Sequence, residues 1–223
     1  MGLQSGARLN SYIGITLDQK QFDYAHRRLT KCGLMSASNQ GKFDIFHSDA
    51  ADPRKWSPAL ISKMERMSME SQSKGCENWL LGLDTLYHFS PSRKRIFDYA
   101  KQKLGASIMA FDLAFRANTS PSLLEKVLLR LFCKAVGAPY QNLMSTTEYR
   151  AQLQAAGYTN ITMRDISEDV FGPLVRYLEE RDAQLKMIGK GLGPLRVAGW
   201  VFKWWARTGL MGAYIVVARH PSE

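Results

Sequence analysis

Two short acid-bearing or histidine-bearing segments follow apolar runs in this chain, and each could do chemistry. The first is Asp84-Thr85-Leu86-Tyr87-His88-Phe89, directly after the apolar run Asn78–Leu83. A histidine just past a strand end can serve as a general base, because its unperturbed pKa lies near neutrality. The same His88 can equally cap the loop or pack beneath a ligand. The second is Ser48-Asp49-Ala50, after Lys42–His47. A carboxylate is acceptor-only, so Asp49 suits a ligand's hydrogen-bond donor, and it suits an Asx turn as well. The three cysteines, Cys32, Cys76 and Cys133, are odd in number and far apart. That spacing predicts reduced structural thiols, with neither a disulfide framework nor a zinc site.

The elements that must hold these residues alternate. Ser11–Thr16 reads as a short strand, and Asp18–Lys31 as a helix with Asp18 as N-cap, ended by Gly33. Lys42–His47 is a second strand, and the stretch from Trp56 to Gly75 is a helix with a polar loop. Asn78–Leu83 is apolar enough to be a strand buried on both faces. Ser90 and Pro91 would open a helix through Leu104, and Ala106–Leu113 would be another buried strand. Strand–helix alternation of this kind predicts a parallel sheet with helices on both faces.

The second half predicts helices over Pro121–Val136 and Ser145–Ala156, a strand over Thr159–Arg164 and a long helix from Val170 to Met187. A break at Gly191–Pro194, an amphipathic aromatic stretch at Leu195–Arg207 and a last strand at Ala213–Ala218 complete it. No repeat or low-complexity linker interrupts the chain, which reads as one domain.

Bulk properties narrow the class. With 223 residues, 45% hydrophobic and 22% charged, the chain can bury a core. No stretch reaches the ~18 uninterrupted apolar residues of a membrane span. Met1–Asn10 has no apolar run, so a secretory leader is not expected, and the default is a soluble, cytoplasmic protein. The net charge is +10, and Ala183–Ser222 has no acid beside Lys186, Lys190, Arg196, Lys203, Arg207 and Arg219. That is a solvated basic tail or a surface for an anionic partner. Gly199–Arg207 mixes tryptophan and base as an interfacial helix does, which makes 195–207 a candidate peripheral membrane contact. The basic residues are scattered and no Asn/Asp-Pro-Pro-Tyr motif follows Leu83, so no nucleic-acid partner is expected.

Several segments resemble class I S-adenosylmethionine-dependent methyltransferases, in particular the sterol, tocopherol and cyclopropane-fatty-acid group. Gly14-Ile15-Thr16-Leu17-Asp18-Gln19-Lys20-Gln21-Phe22, with Ala25 and Arg27, resembles that group's second strand and following helix. The resemblance implies that Thr16 and Gln21 lie near the cofactor's ribose or amino-acid part. Many class I enzymes have an acid at this strand end; here it is not acidic. Phe46-His47-Ser48-Asp49-Ala50 resembles the third-strand motif, which implies Asp49 on the adenine amine and the Ala50 amide facing the ring. Leu81–Phe89 resembles the fourth strand and its loop. This implies catalytic roles for His88 and Asp84 and acceptor-side roles for Tyr87 and Phe89. Ser145–Tyr149, Ala155-Ala156-Gly157-Tyr158 and Ile161 resemble the helix and strand before the last strands.

The resemblance covers Ser11 to Arg219 and implies an α/β, Rossmann-like class I methyltransferase sheet with helices on both faces. Its first strand–helix unit and Gly-x-Gly-x-Gly loop have no counterpart, since only Gly2 and Gly6 precede Ser11. The expected organisation is a single, N-terminally incomplete domain over 1–223, with acceptor-side cap helices within 114–208. The expected activity is methyl transfer to O, N or C of a small, apolar metabolite. Trp200, Phe202, Trp204 and Trp205, with Tyr87 and Phe89, would line a lid, or the tryptophans would simply pack a helix face. The alternative is a non-catalytic partner subunit or truncated product, with a second chain completing the fold.

Overall fold

A computed structural model describes residues 9–34, 43–117, 119–193 and 195–220. The chain divides into two compact units, Met1–Cys76 and Glu77–Glu223, where the sequence reads as one domain. Each is described by itself.

In the first unit, strand β1 (Tyr12–Thr16) and strand β2 (Phe43–His47) pair in parallel, from Tyr12 opposite Phe43 to Thr16 opposite His47. Lys42, expected in this strand, lies outside the described residues. Helix α1 (Gln19–Lys31) connects the strands, as a parallel pair requires a crossover. Asp18 caps it as expected, its Oδ1 accepting the Gln21 N–H at 2.8 Å. Gly33, at φ +66°, turns the chain out of the helix. Phe22 lays α1 on β2, its ring 6.1 Å from that of His47. Helix α2 (Pro58–Ser73) starts from Ser57, whose Oγ accepts the Leu60 N–H. Trp56, Leu60 and Met64 are buried.

The second unit holds a four-stranded sheet in the order β3 (Trp79–Leu83), β4 (Ser107–Phe115), β6 (Met211–Arg219), β5 (Asn160–Asp165). Strands β3 and β4 are parallel, and β6 runs antiparallel to both β4 and β5. The helices are α3 (Lys94–Gln102), α4 (Leu123–Val136), α5 (Thr146–Ala155), α6 (Ser167–Lys186) and α7 (Leu195–Thr208). Helices α4 and α5 open with full capping boxes, Ser122 with Glu125 and Ser145 with Glu148, so the Ser145 expectation holds.

Three expectations need correction. Strand β3 is not buried on both faces: Leu81 is 53% and Leu83 71% exposed. Among the described residues it pairs only with β4, so it is an edge, and its outward side chains lack a covering layer. Ser90 and Pro91 do not open a helix. Helix α3 begins at Lys94, whose N–H meets Ser92 Oγ at 3.3 Å, because Arg93 turns its side chain into the core. The long helix starts at Ser167 rather than Val170, since the Asp165 carboxylate accepts the Ser167 N–H at 2.8 Å and orders the turn.

The core of this unit is an aromatic cluster on one face of the sheet. Trp205 of α7 sits edge-on to Phe132, Phe171 and Phe202, with ring centroids 5.5–5.9 Å apart, over Leu113, Met211 and Ala213. Among the described residues, no helix is long and apolar enough to cross a membrane. All three cysteines are free thiols, with Cys32 exposed and Cys133 buried. Because the Trp205 side chain is 1% exposed, Trp205→Ala is expected to cost about 3–5 kcal/mol, read as a fall in the urea midpoint. A change below ~1 kcal/mol would mean that the cluster is not the core.

Candidate functional site

In each unit, polar side chains follow the carboxyl ends of parallel strands, β1 and β2 in the first and β3 in the second, the ends where open α/β sheets bind ligands. In the first unit, Thr16 ends β1 and its Oγ1 lies 2.9 Å from Gln21 Oε1 in the first turn of α1. The same oxygen accepts the Asp18 N–H at 3.2 Å. Thr16 and Gln21 are thus brought together.

Asp49 and Ala50 follow β2. The Asp49 Oδ1 accepts the Ala51 N–H at 2.8 Å, and the Asp49 carbonyl accepts the Trp56 indole N–H at 2.7 Å. The Asx turn that the sequence leaves open is therefore formed, and it fixes the carboxylate at the strand end. Hydroxyl, amide and carboxylate groups on neighbouring parallel strand ends suit a ribose and an adenine amine, so this donor and acceptor set fits the adenosine part of S-adenosylmethionine.

In the second unit, β3 passes into a tight loop. Gly82 is required by that turn-back: a Cβ there would stand 2.7 Å from Leu86 Cγ. Asp84 takes the left-handed region at φ +54°, which aspartate tolerates better than most side chains, and its N–H donates to the Phe111 carbonyl at 3.0 Å. A 3-10 turn over Leu86–His88 follows. The Tyr87 hydroxyl donates to Asp84 Oδ1 at 3.0 Å, and the rings of Tyr87 and His88 lie 4.2 Å apart. Asp84, Tyr87 and His88 thus form one cluster, with Phe89 half-buried beside it. Burial pushes the Tyr87 hydroxyl far above its usual value, with Asp84 adding to the effect, so Tyr87 is a hydrogen-bond donor. Burial also holds His88 below the ordinary imidazole value, against the pull of Asp84 and Asp112.

Sequence reasoning missed what lies beneath this loop. Arg93 and Asp112 are fully buried and paired, Arg93 Nη1 donating to Asp112 Oδ2. The Tyr149 hydroxyl donates to the same carboxylate oxygen at 2.9 Å, and the Leu113 N–H to Oδ1 at 2.9 Å. Arg93 also donates to Gln152 Oε1 at 3.2 Å and to the Asn142 carbonyl at 2.7 Å. Desolvation pushes the Asp112 carboxyl up, against Arg93 and the other donors. The available signal was a lone acid inside the apolar run Ser107–Phe115, since a buried charge requires a partner.

The expected aromatic lid is not formed as a set. Trp205 is core, Phe202 and Trp204 pack on the same cluster, and Tyr87 packs there too. Trp200 stands apart, 79% exposed, because it lies on the opposite face of α7.

No family model and no curated protein matches the chain. Solved structures do. Phosphoethanolamine N-methyltransferase 2 of Haemonchus contortus, in complex with S-adenosyl-L-methionine, matches with a TM-score of 0.65 at 12% identity, over 94% of this chain and 43% of that one. A cyclopropane synthase of Mycobacterium tuberculosis matches at 0.59 and 11% identity, over 94% and 70%. The geranyl diphosphate C-methyltransferase of Streptomyces coelicolor, in complex with Mg2+, geranyl diphosphate and S-adenosyl-L-homocysteine, matches at 0.60 and 14% identity, over 94% and 64%. The chain thus spans less than half of the length of the Haemonchus contortus protein. At these identities the likeness fixes the fold: a mixed, Rossmann-like α/β sheet of the kind found in these methyltransferases.

The depressed His88 has a consequence for stability. A folded state that favours neutral imidazole binds fewer protons than the unfolded chain below the ordinary value of ~6.5. This group therefore contributes no pH dependence well above that value. It destabilises the fold as the pH falls through ~6.5 towards the lower, folded pKa. Urea midpoints at pH 7.5 and pH 5.5 are expected to fall further apart in the parent chain than in His88→Gln. An equal fall in both would place His88 in ordinary solvent.

Proposed function

We propose that the chain transfers a methyl group from S-adenosylmethionine to O, N or C of a small, apolar metabolite. The observation that carries this reading is that candidate residues follow the carboxyl ends of parallel strands in each unit, Thr16, Gln21 and Asp49 in the first and Asp84, Tyr87 and His88 in the second, in a fold shared with methyltransferases. Thr16 and Gln21 would hold the ribose or amino-acid part, and Asp49 with the Ala50 amide the adenine. When bound, the cofactor supplies a sulfonium methyl open to in-line attack, and it leaves as a neutral thioether.

His88, kept neutral by burial, accepts the proton that the acceptor atom loses as it takes the methyl. Asp84 orients Tyr87 through the 3.0 Å hydrogen bond. Tyr87 and Phe89 offer an apolar wall to the acceptor, and holding the two reactants in line accounts for much of the rate. Helices α4, α6 and α7, within 114–208, serve as the acceptor-side cap.

Two partner readings accompany this one. Leu81, Leu83 and Met109 are exposed side by side on β3 and β4, next to an edge with no strand beyond it among the described residues. That edge favours a second chain, and with it the alternative of a non-catalytic, methyltransferase-like partner subunit. Trp200, Arg196 and Arg207 share the outer face of α7, and Leu123, Leu124, Val127 and Leu131 stand exposed on α4. Aromatic and basic side chains beside apolar ones favour an anionic lipid surface.

Calorimetry with S-adenosylhomocysteine tests the main reading. Binding is expected in the parent chain and its loss, tenfold or more, in Asp49→Ala. With a cofactor-competent protein and an acceptor in hand, His88→Ala should lower kcat by about 10²–10⁴-fold. No binding by the parent chain would favour the partner-subunit alternative. In a flotation assay with phosphatidylglycerol vesicles, Trp200→Ala is expected to remain in the soluble fraction while the parent chain floats. Equal flotation of both would remove α7 as the lipid contact.

A further inference from the structure

The loop that carries His88 is held from below by a residue on another segment. Asn142 lies in the short turn Tyr140–Asn142 between α4 and α5 and is fully buried. Its Nδ2 donates to the Tyr87 carbonyl at 3.0 Å and to the Phe89 carbonyl at 2.7 Å. A carboxamide has two N–H donors, so both are spent on the carbonyls of the two residues that flank His88. Its Oδ1 is buried with no hydrogen-bond partner among the described residues. An unpaired buried acceptor costs free energy, so the side chain is held there for its donors.

Asn142 is itself anchored. Its backbone carbonyl accepts from Arg93 Nη2 at 2.7 Å, and Arg93 is fixed by Asp112, by Gln152 and by the face of the Tyr149 ring, 4.0 Å from the guanidinium carbon. The line from His88 thus runs through two carbonyls to Asn142, then through a buried ion pair to the middle of β4. By contrast, the local turn bonds within the loop, His88 N–H to Thr85 and Phe89 N–H to Leu86, fix its curl but not its placement over the sheet.

We infer that Asn142 is a positioning residue for His88: by holding the carbonyls of Tyr87 and Phe89 it sets where the imidazole stands at the carboxyl end of β3. This rests on the reading of His88 as the proton acceptor, and it adds a residue that touches neither cofactor nor acceptor.

The test needs no ligand, so it can fail independently of methyl transfer, which the cofactor-binding experiment judges. The His88 ring is titrated by NMR, and amide exchange is followed at His88 and Phe89, in the parent chain, Asn142→Ala and Asn142→Leu. Leucine fills the space of asparagine without its donors, so it keeps the fold where the alanine cavity does not. Exchange at His88 and Phe89 is expected to quicken by roughly ten- to a hundredfold, the worth of two lost hydrogen bonds. The His88 titration is expected to move up towards that of a solvated imidazole, while amides of Leu153 and Val216 keep their protection. A folded variant with unchanged titration and unchanged loop exchange would overturn the inference. So would loss of the fold in both variants, which would make Asn142 a folding residue and nothing more.

Discussion

The second unit is organised around an ion pair without water. Arg93 and Asp112 have no solvent contact, and removing two charges from water costs several kcal/mol for each. The surroundings are therefore committed to satisfying them. Tyr149 and the Leu113 amide complete the carboxylate, and Gln152 and the Asn142 carbonyl complete the guanidinium. These partners come from β4, α5 and the turn before α5, while Arg93 caps α3. Four separate pieces of chain must be in place before the charges are compensated. Replacing one partner leaves a bare buried charge, whereas the intact set specifies a single arrangement of the helices beneath the loop.

The helices and strands were legible because their signals are local. Asp18 and Ser145 announce helix starts through side chains that reach only three residues ahead. The apolar run at Ala106–Leu113 and the last stretch, Ala213–Ala218 with its β-branched Ile215, Val216 and Val217, announce strands in the same way. Burial was less legible, because it depends on neighbours. Leu81 and Leu83 look like core residues in isolation, and only the sheet order shows that they stand at an edge. The start of α3 failed for a similar reason. Ser90-Pro91 is a good opening signal, but the pull of Asp112 on Arg93, nineteen residues apart in sequence, decides where the helix begins.

The placement of the candidate residues was legible in part. His88, Asp84, Tyr87, Asp49, Thr16 and Gln21 sit within a few residues of strand ends, and that placement survives in three dimensions. The tryptophans show the opposite case. An amphipathic pattern places Trp200 and Trp205 on different faces of α7, but it does not say which face meets the core, and it is Trp205 that does. Asn142, in a turn with no motif, carried no signal at all. Its importance comes from two carbonyls more than fifty residues earlier.

Gly82 has a consequence for how such a loop can change over generations. With Leu86 folded back against it, the strand floor has no volume to yield, since the first carbon of any side chain there would overlap Leu86. Inheritable variation around the loop is thereby steered away from the floor. It falls to the rim, where Tyr87 and Phe89 are only half-buried and a change of shape leaves the scaffold alone. A chain built this way keeps the place of His88 fixed while the side chains beside it drift.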